Sequence, residues 1–302
     1  MIYENKELLL DVDMSLSFKG HPILKGVKFQ VFNTFRPGIN EVSPQVIAIL
    51  GPSGVGKTQL FRCIAGLQVP TEGAVFVNDD REPVQEGEVG VVAQDYPLIE
   101  TRTVLGNLVR AFQITERRRK LKVSGILGFI FSFCSSFAGS LKDSLLEDAL
   151  AKKTAMEYLA KFGLTSLVGH YPSQLSGGQR QRVAIIQQMI CSKHFLLMDE
   201  PFSGLDVIAK DQAIHLINEM AMADELNTVI ITTHDIRSAC AVADRVILLG
   251  RDRAEDGSII PGAYIVADID LKANDLCWIP GITMTSRFME FVSEVEAQFH
   301  RL

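Results

Sequence analysis

The sequence predicts an α/β protein with a doubly wound, mainly parallel sheet. Three short apolar runs, at 46–50, 195–198 and 228–232, are typical of strands buried on both faces of such a sheet. Segments with helical periodicity, 180–191 and 207–222, come directly before the second and the third of these runs. Strands that alternate with helices in this way favour a parallel arrangement with helical crossovers.

The remaining segments of the chain have patterns that differ from those of this core. Residues 7–35 alternate apolar and polar residues around a turn at 19–22, which predicts antiparallel strands. Residues 101–171 are mostly helical by pattern. After Gly250 we expect a strand pair over 259–271 and a terminal helix, so that 251–302 forms a short C-terminal appendage.

Composition excludes several classes of protein. The 302 residues carry 30 Lys and Arg against 36 Asp and Glu, a net charge of −6, and 47% are hydrophobic. This acidic balance argues against a dedicated nucleic-acid binder, and the apolar content argues against disorder. Five widely spaced cysteines without a CxxC pair predict buried thiols in a reducing compartment. An acidic N-terminus and no apolar run long enough to span a bilayer predict a cytoplasmic protein.

One apolar stretch, at 123–137, has two interpretations. It is interrupted by glycines and serines, and the basic run 117–122 precedes it. A helix lying at a membrane surface or against a membrane partner has this composition. A buried helix with a solvated charged approach is the commoner structure and is favoured.

A phosphate-binding loop follows the first buried strand. The motif G-x-x-x-x-G-K-[ST] is matched in full, by Gly51, Pro52, Ser53, Gly54, Val55, Gly56, Lys57 and Thr58. Its glycines allow backbone N–H groups to surround phosphates at a helix N-terminus. Lys57 is expected to contact the β and γ phosphates of a nucleotide, and Thr58 to offer its hydroxyl to Mg²⁺.

Two carboxylates end the second buried strand. Asp199 and Glu200 follow four apolar residues. We expect Asp199 to hold Mg²⁺ through a coordinated water. Glu200, one residue later, is then placed to orient and polarise the attacking water in phosphoryl transfer.

A further segment carries a family resemblance. The pentapeptide of Leu175, Ser176, Gly177, Gly178 and Gln179 resembles the LSGGQ signature of ATP-binding cassette (ABC) ATPases. Around it, Gln94 is similar to that family's Q-loop glutamine, Asp206 to its D-loop aspartate and His234 to its switch histidine. The motifs stand in the family's order along residues 7–250.

This resemblance implies roles for the remaining residues. His234 would contact the γ-phosphate, and Gln94 would reach Mg²⁺ or the attacking water. Phe18 aligns with the aromatic residue that stacks on adenine, although Phe29, Phe32 and Phe35 also precede the phosphate loop. The signature would act in trans, because two cassettes pair head to tail around two MgATP.

The resemblance also implies a domain plan. Residues 1–250 would form an ABC nucleotide-binding domain: a P-loop ATPase core with an antiparallel β subdomain and an inserted helical subdomain at about 100–178. An unusual insertion occupies about 115–146 within the helical part. That region meets the membrane subunits in transporter cassettes, and we hypothesise that the insertion shapes this docking face.

By resemblance, the chain is an ATP-hydrolysing subunit of a multisubunit transporter, with ATP and Mg²⁺ as its ligands. Its expected partners are permease subunits, a second copy or a paralogous cassette, and a substrate-binding protein, without nucleic acid. It would lie on the inner face of the cell membrane through the permease. Importers of the nitrate, sulfonate and taurine group are similar in the segments at 94–98 and 103–108. Export of a lipid or lipoprotein, and a soluble ABC ATPase acting on a macromolecule, are the alternatives.

Overall fold

A computed structural model describes residues 5–35, 42–77, 82–92, 98–123, 140–192, 195–223, 228–274, 276–277 and 282–299. The chain divides into two compact units. The first comprises Met1–Gln94 with His194–Leu302, and the second comprises Asp95–Lys193. Each unit is described by itself below.

The elements within the described residues are numbered in chain order. The strands are β1 (Asn5–Phe18), β2 (His21–Phe35), β3 (Val42–Ser43), β4 (Gln45–Leu50), β5 (Glu72–Val77), β6 (Gly90–Val92), β7 (Phe195–Asp199), β8 (Thr228–Thr233), β9 (Arg245–Gly250) and β10 (Tyr264–Asp270). The α-helices are α1 (Lys57–Ile64), α2 (Val104–Val123), α3 (Ser140–Lys161), α4 (Gly177–Cys191), α5 (Val207–Met222), α6 (Ile236–Val242) and α7 (Ser286–Phe299).

A six-stranded sheet forms the centre of the first unit, in the order β10-β9-β4-β8-β7-β6. The pairs from β9 through β6 are parallel, and β10 joins β9 antiparallel. Every residue of β4 and of β8 is buried, as expected for central strands covered on both faces. The predicted α/β core with a parallel sheet is confirmed.

A four-stranded antiparallel sheet, in the order β3-β2-β1-β5, lies in the same unit. The hairpin between β1 and β2 turns at Lys19 and Gly20, whose φ values of 49° and 81° are those of a tight two-residue turn. Its apolar side chains share one core with α1 and with Ile47, Ile49 and Leu197 of the central sheet. The antiparallel strands predicted over 7–35 are therefore present and pack against α1 and the central sheet.

The C-terminal segment differs from its prediction as a strand pair on an appendage. Only β10 is a full strand there, while Arg253 and Ile259 form an isolated bridge. The backbone of Ala263 exchanges hydrogen bonds with β2, accepting from Lys25 N at 2.8 Å and donating to Ile23 O at 2.9 Å. Because β10 covers the edge of β9 and α7 packs on α6, this segment is built into the first unit.

The second unit is helical, as predicted for 101–171. Helices α2, α3 and α4 pack on one another, with short 3₁₀ turns at Thr165–Leu167 and Pro172–Gln174. Half of the predicted insertion at 115–146, residues 124–139, lies outside the described residues, and so does the apolar stretch apart from its first residue, Val123. Of the helices that are described, none combines the length and the apolar character needed to cross a bilayer.

The cysteines within the described residues are all free thiols. Cys63 and Cys240 are buried, whereas Cys191 and Cys277 are half-buried. Cys134 lies outside the described residues. Burial raises the pKa of Cys63 to about 11, and burial with nearby carboxylates raises that of Cys240 to about 12.

We expect Cys63 and Cys240 to resist alkylation in the folded protein. At pH 8, a thiol pKa of about 11 leaves roughly one thiolate per thousand molecules, and burial also blocks the reagent. Iodoacetamide labelling followed by peptide mass mapping should modify both thiols in urea and neither in native buffer. Equal labelling rates in the two conditions would contradict the packing described here.

Candidate functional site

The phosphate loop connects β4 to α1. Gly54 and Gly56 adopt φ values of 78° and 119°, a backbone region that favours glycine. Gly51 is closed in by its neighbours, since an added Cβ would lie 2.8 Å from both the Leu249 carbonyl oxygen and Val55 Cγ1. The glycines of the motif are thus required by the path of the loop as well as by its expected ligand.

Lys57 begins α1 and is only 5% exposed. Its Nζ donates to the carbonyl oxygen of Gly51 at 2.8 Å and to that of Pro52 at 3.3 Å. The same Nζ lies 3.2 Å from Glu200 Oε1. Thr58 follows on the first turn of α1 and is exposed. A cation and a hydroxyl therefore stand together at the N-terminus of this helix.

The ends of β7 and β8 bring the acidic residues next to a pair of threonines. These strands are parallel neighbours, and Asp199 pairs in register with Thr232. The Thr232 hydroxyl donates to Asp199 Oδ1. The Thr233 hydroxyl donates to Glu200 Oε2 at 3.3 Å. The carboxyl ends of adjacent parallel strands are the usual place for a ligand in such a sheet.

Glu200 lies at the centre of these contacts. Its Oε2 is 2.8 Å from His234 Nδ1, and its side chain is 22% exposed against 49% for His234. Its φ of 50° lies in the left-handed region, which is uncommon for a residue other than glycine and costs on the order of 1–2 kcal/mol. The Glu200 backbone N–H donates to the Thr232 carbonyl oxygen at 2.8 Å and helps to hold this conformation. A partly exposed carboxylate between an ammonium and an imidazole can accept a proton from a water molecule.

Asp206 and Asp235 each cap a helix near this cluster. Asp206 accepts from Ala209 N at 2.8 Å at the start of α5. Asp235 accepts from Ser238 N at 2.9 Å at the start of α6 and pairs with Lys210 of α5. Burial alone would raise the pKa of Asp235, but the hydrogen bonds from Lys210 and Ser238 outweigh it and lower that pKa. The residue after His234 is thereby fixed as a charged helix cap.

The predicted signature lies in the second unit, at the start of α4. Ser176 is the N-cap: its hydroxyl accepts from Gln179 N at 3.3 Å, while Gln179 Oε1 accepts from Ser176 N at 2.9 Å. This reciprocal pair is a capping box. Gly177 and Gly178 on the first turn are exposed, with open space around them. Leu175, immediately before the cap, has an extended backbone.

The predicted site residues fall into three groups: those in the first unit, those in the second unit, and one outside the described residues. The first unit brings together the phosphate loop, Asp199, Glu200 and His234, and the second unit presents the signature. Gln94 lies outside the described residues.

Among the candidate aromatic residues, Phe18 is 42% exposed at the end of β1, whereas Phe29 is 4% exposed within the core. Phe32 is half-buried, and the side chain of Phe35 lies outside the described residues. Exposure therefore favours Phe18 over Phe29 as a ring available for stacking.

Three residues that take part in this region were not predicted from the sequence. Thr232 and Thr233 lie at the end of a predicted strand. Because the carboxyl ends of parallel strands meet at one edge of a sheet, their position beside the acidic residues could have been inferred. Arg251 donates from its guanidinium to the Gly54 carbonyl oxygen at 2.7 Å and so holds the outside of the phosphate loop. The contact joins residues 197 positions apart, and no local pattern marks it.

Comparison with known proteins finds a matching family, similar sequences and a similar fold. The family model described as "ABC transporter" matches residues 41–203, more than half of the chain. The match begins before the phosphate loop and ends just beyond Glu200.

Several curated proteins are similar in sequence. The chain is 34% identical over 216 residues to the sulfate/thiosulfate import ATP-binding protein CysA 2 of Rhizobium meliloti, covering 70% of this chain and 52% of that protein. It is 36% identical over 216 residues to CysA of Brucella melitensis, with 70% and 53% covered. It is also 35% identical over 233 residues to a protein of the same description from Cucumis sativus, with 74% and 59% covered. The chain thus spans about half the length of the first of these relatives.

Among solved structures, cbiO1 from Clostridium perfringens, part of the ABC transporter complex cbiONQ, has a similar fold. The TM-score is 0.60 at 22% identity, and 89% of this chain and 91% of that chain are covered. A likeness at this identity supports the fold alone.

Proposed function

Because this chain belongs to the ABC transporter family, we propose that it binds and hydrolyses ATP as the energising subunit of a membrane importer. The observation that carries the proposal is the cluster of Lys57, Glu200 and His234. Glu200 lies 3.2 Å from the Lys57 ammonium and 2.8 Å from the His234 imidazole, beside a phosphate-loop backbone. This arrangement places a base, a cation and a second polar group where a γ-phosphate would bind.

Nucleotide binding would use the phosphate loop and its magnesium ligands. The backbone N–H groups of residues 53–58 and the Lys57 ammonium would bind the phosphates, and Phe18 would stack on the adenine. Thr58 and Asp199 supply the hard oxygen donors that Mg²⁺ prefers, and the Thr232 hydroxyl orients the Asp199 carboxylate. When bound, Mg²⁺ would neutralise charge on the phosphates. Gln94 is a further proposed ligand of the ion or the water.

Hydrolysis would depend on Glu200. In this proposal Glu200 accepts a proton from the attacking water, while Lys57 stabilises charge on the phosphoryl oxygens. His234 would keep the water and the γ-phosphate in line, and Asp235 holds the start of α6 directly after it. The roles depend on hydrogen bonds and charge, so single substitutions test them separately.

A second cassette is expected to complete each nucleotide site. The start of α4 exposes Ser176, Gly177 and Gly178 at the N-terminus of a helix, a combination that binds anions. We propose that this end of α4 contacts the γ-phosphate held by a second copy or by a paralogous cassette, with Asp206 positioning the start of α5. Closure of the pair would then accompany ATP binding, and hydrolysis would reopen it.

Transport would require permease subunits. The curated relatives are described as import ATP-binding proteins, and we propose the import direction on that basis in preference to export. The pair of cassettes would then lie against its permease at the inner face of the membrane, with a substrate-binding protein as a further partner. The hypothesis that residues 115–146 shape the docking face belongs to this proposal.

Phosphate release by the purified full chain tests the enzymatic part. We expect hydrolysis of ATP that depends on added Mg²⁺ and stops with EDTA. Capture with an ATP-loaded Glu200→Gln variant from detergent-solubilised native membranes tests the transport part, with Lys57→Ala as the control that retains less nucleotide. Integral membrane proteins recovered only with Glu200→Gln would support the proposal. Recovery of ribosomes or nucleic acid instead would contradict transport and leave the ATP hydrolysis to be decided by phosphate release.

A further inference from the structure

We propose that Thr233 is a positioning residue that holds the Glu200 carboxylate in the orientation needed to activate water. This inference rests on the proposed function and deepens it, because it assigns a role to a residue that the family motifs leave out of the site. It follows from the hydrogen bonds at the end of β8.

The donor and acceptor roles at Thr233 follow from geometry. The Thr233 hydroxyl lies 3.1 Å from the backbone nitrogen of Asp235 and 3.3 Å from Glu200 Oε2. A backbone N–H can only donate, so the hydroxyl oxygen accepts from Asp235. Its own hydrogen is then free to point at the carboxylate, which can only accept when ionised.

Thr233 differs from the other groups that touch this carboxylate. The His234 side chain is 49% exposed, so it also contacts solvent. Lys57 is the proposed phosphate ligand, so its ammonium must also face the phosphates. Thr233 is 0% exposed on a central strand paired with β4 and β7. It is therefore a buried and rigid donor to Glu200, whereas the other two are partly solvated or needed elsewhere.

The hydrogen bond from Thr233 also helps to stabilise an uncommon backbone conformation at Glu200. Glu200 has a φ of 50°, and a residue in that region keeps a fixed side-chain direction only when its surroundings determine it. The backbone bond from Glu200 N to Thr232 O fixes the main chain, and the Thr233 hydroxyl fixes the end of the side chain. Two consecutive residues of β8 thus define where Glu200 points.

Steady-state ATP hydrolysis by matched variants of the full chain tests this role. Thr233→Val replaces the hydroxyl by a methyl group of similar size, and Thr233→Ser keeps the hydroxyl. Thr228→Val is the control, because Thr228 begins the same strand, is 1% exposed and accepts from Gln45 Nε2 at 3.3 Å. It shares the loss of a buried hydroxyl without touching Glu200.

We expect Thr233→Val to lower kcat about ten-fold or more, with the KM for ATP changed less than about two-fold, since a hydrogen bond to a charged group is lost. Thr233→Ser should retain about half of the wild-type kcat or more, and Thr228→Val should stay near wild type. If Thr233→Val does not fold, Thr233→Ala is expected to give the same loss of kcat.

Three results would overturn the inference. The first is a wild-type kcat in Thr233→Val or Thr233→Ala. The second is an equal loss of kcat in Thr228→Val, which would indicate a general effect of removing a buried hydroxyl from β8. The third is a wild-type chain that binds ATP without hydrolysing it, which would overturn the proposed function as well and is distinguished by the wild-type assay alone.

Discussion

Replacing Glu200 by Gln is expected to reduce ATP turnover at least about a hundred-fold while ATP remains bound. The amide keeps the size of the side chain but cannot accept the proton that the carboxylate would take from water. It also cancels a negative charge 3.2 Å from the Lys57 ammonium, which favours retention of the phosphates there. The variant should therefore accumulate as a stable ATP-bound pair of cassettes.

Single-turnover phosphate release and size-exclusion chromatography with ATP and Mg²⁺ measure these two effects. Glu290→Gln is the matched control, because Glu290 is exposed on α7 and takes no part in the site. We expect this control to behave as wild type in both assays. Turnover near the wild-type rate in Glu200→Gln would show that another group activates the water.

Replacing Lys57 by Ala should instead weaken nucleotide binding itself. The ammonium is held by two carbonyl oxygens of the loop and is only 5% exposed, so no other cation readily takes its place. A charge-assisted hydrogen bond contributes about 1.5–3 kcal/mol, which corresponds to a ten- to hundred-fold increase in Kd for ATP. Turnover at low ATP should fall at least in proportion.

Titration with a fluorescent ATP analogue measures the change in Kd. Lys28→Ala is the control, since Lys28 also pairs with a carboxylate, that of Asp13, but does so on the surface. The two Lys variants together separate the loss of a specific phosphate contact from the loss of any positive charge. An unchanged Kd in Lys57→Ala would contradict the proposed phosphate site.

Much of this molecule could be predicted from local sequence. The strands β4, β7 and β8 are largely apolar runs, and the phosphate loop is a complete motif. The carboxyl ends of parallel strands meet at one edge of a sheet, which brings Lys57 near Asp199 and Glu200 even though β8 lies between β4 and β7. The switch position of His234 came from the resemblance rather than from spacing.

The remainder depends on contacts between distant residues. The Arg251 bond to the Gly54 carbonyl oxygen requires β9 to lie beside β4, which no short pattern specifies. The C-terminal segment was expected to stand apart because residues 251–257, which lead into it, are polar and charged. It joins the core because the backbone of Ala263 hydrogen-bonds to Ile23 and Lys25 of β2. The pattern of side chains along the sequence does not predict such backbone hydrogen bonds.

The closing strand β10 also limits how two copies can associate. It forms one edge of the central sheet, where Asp268 pairs with Arg245 and Asp270 is exposed. At the other edge, β6 has three residues within the described part of the chain. Short edges and edges carrying charged side chains are poor templates for a continuous intermolecular sheet. In the proposed pair of cassettes, the two copies would then contact each other through loops and helix ends, and such contacts can separate after each round of hydrolysis.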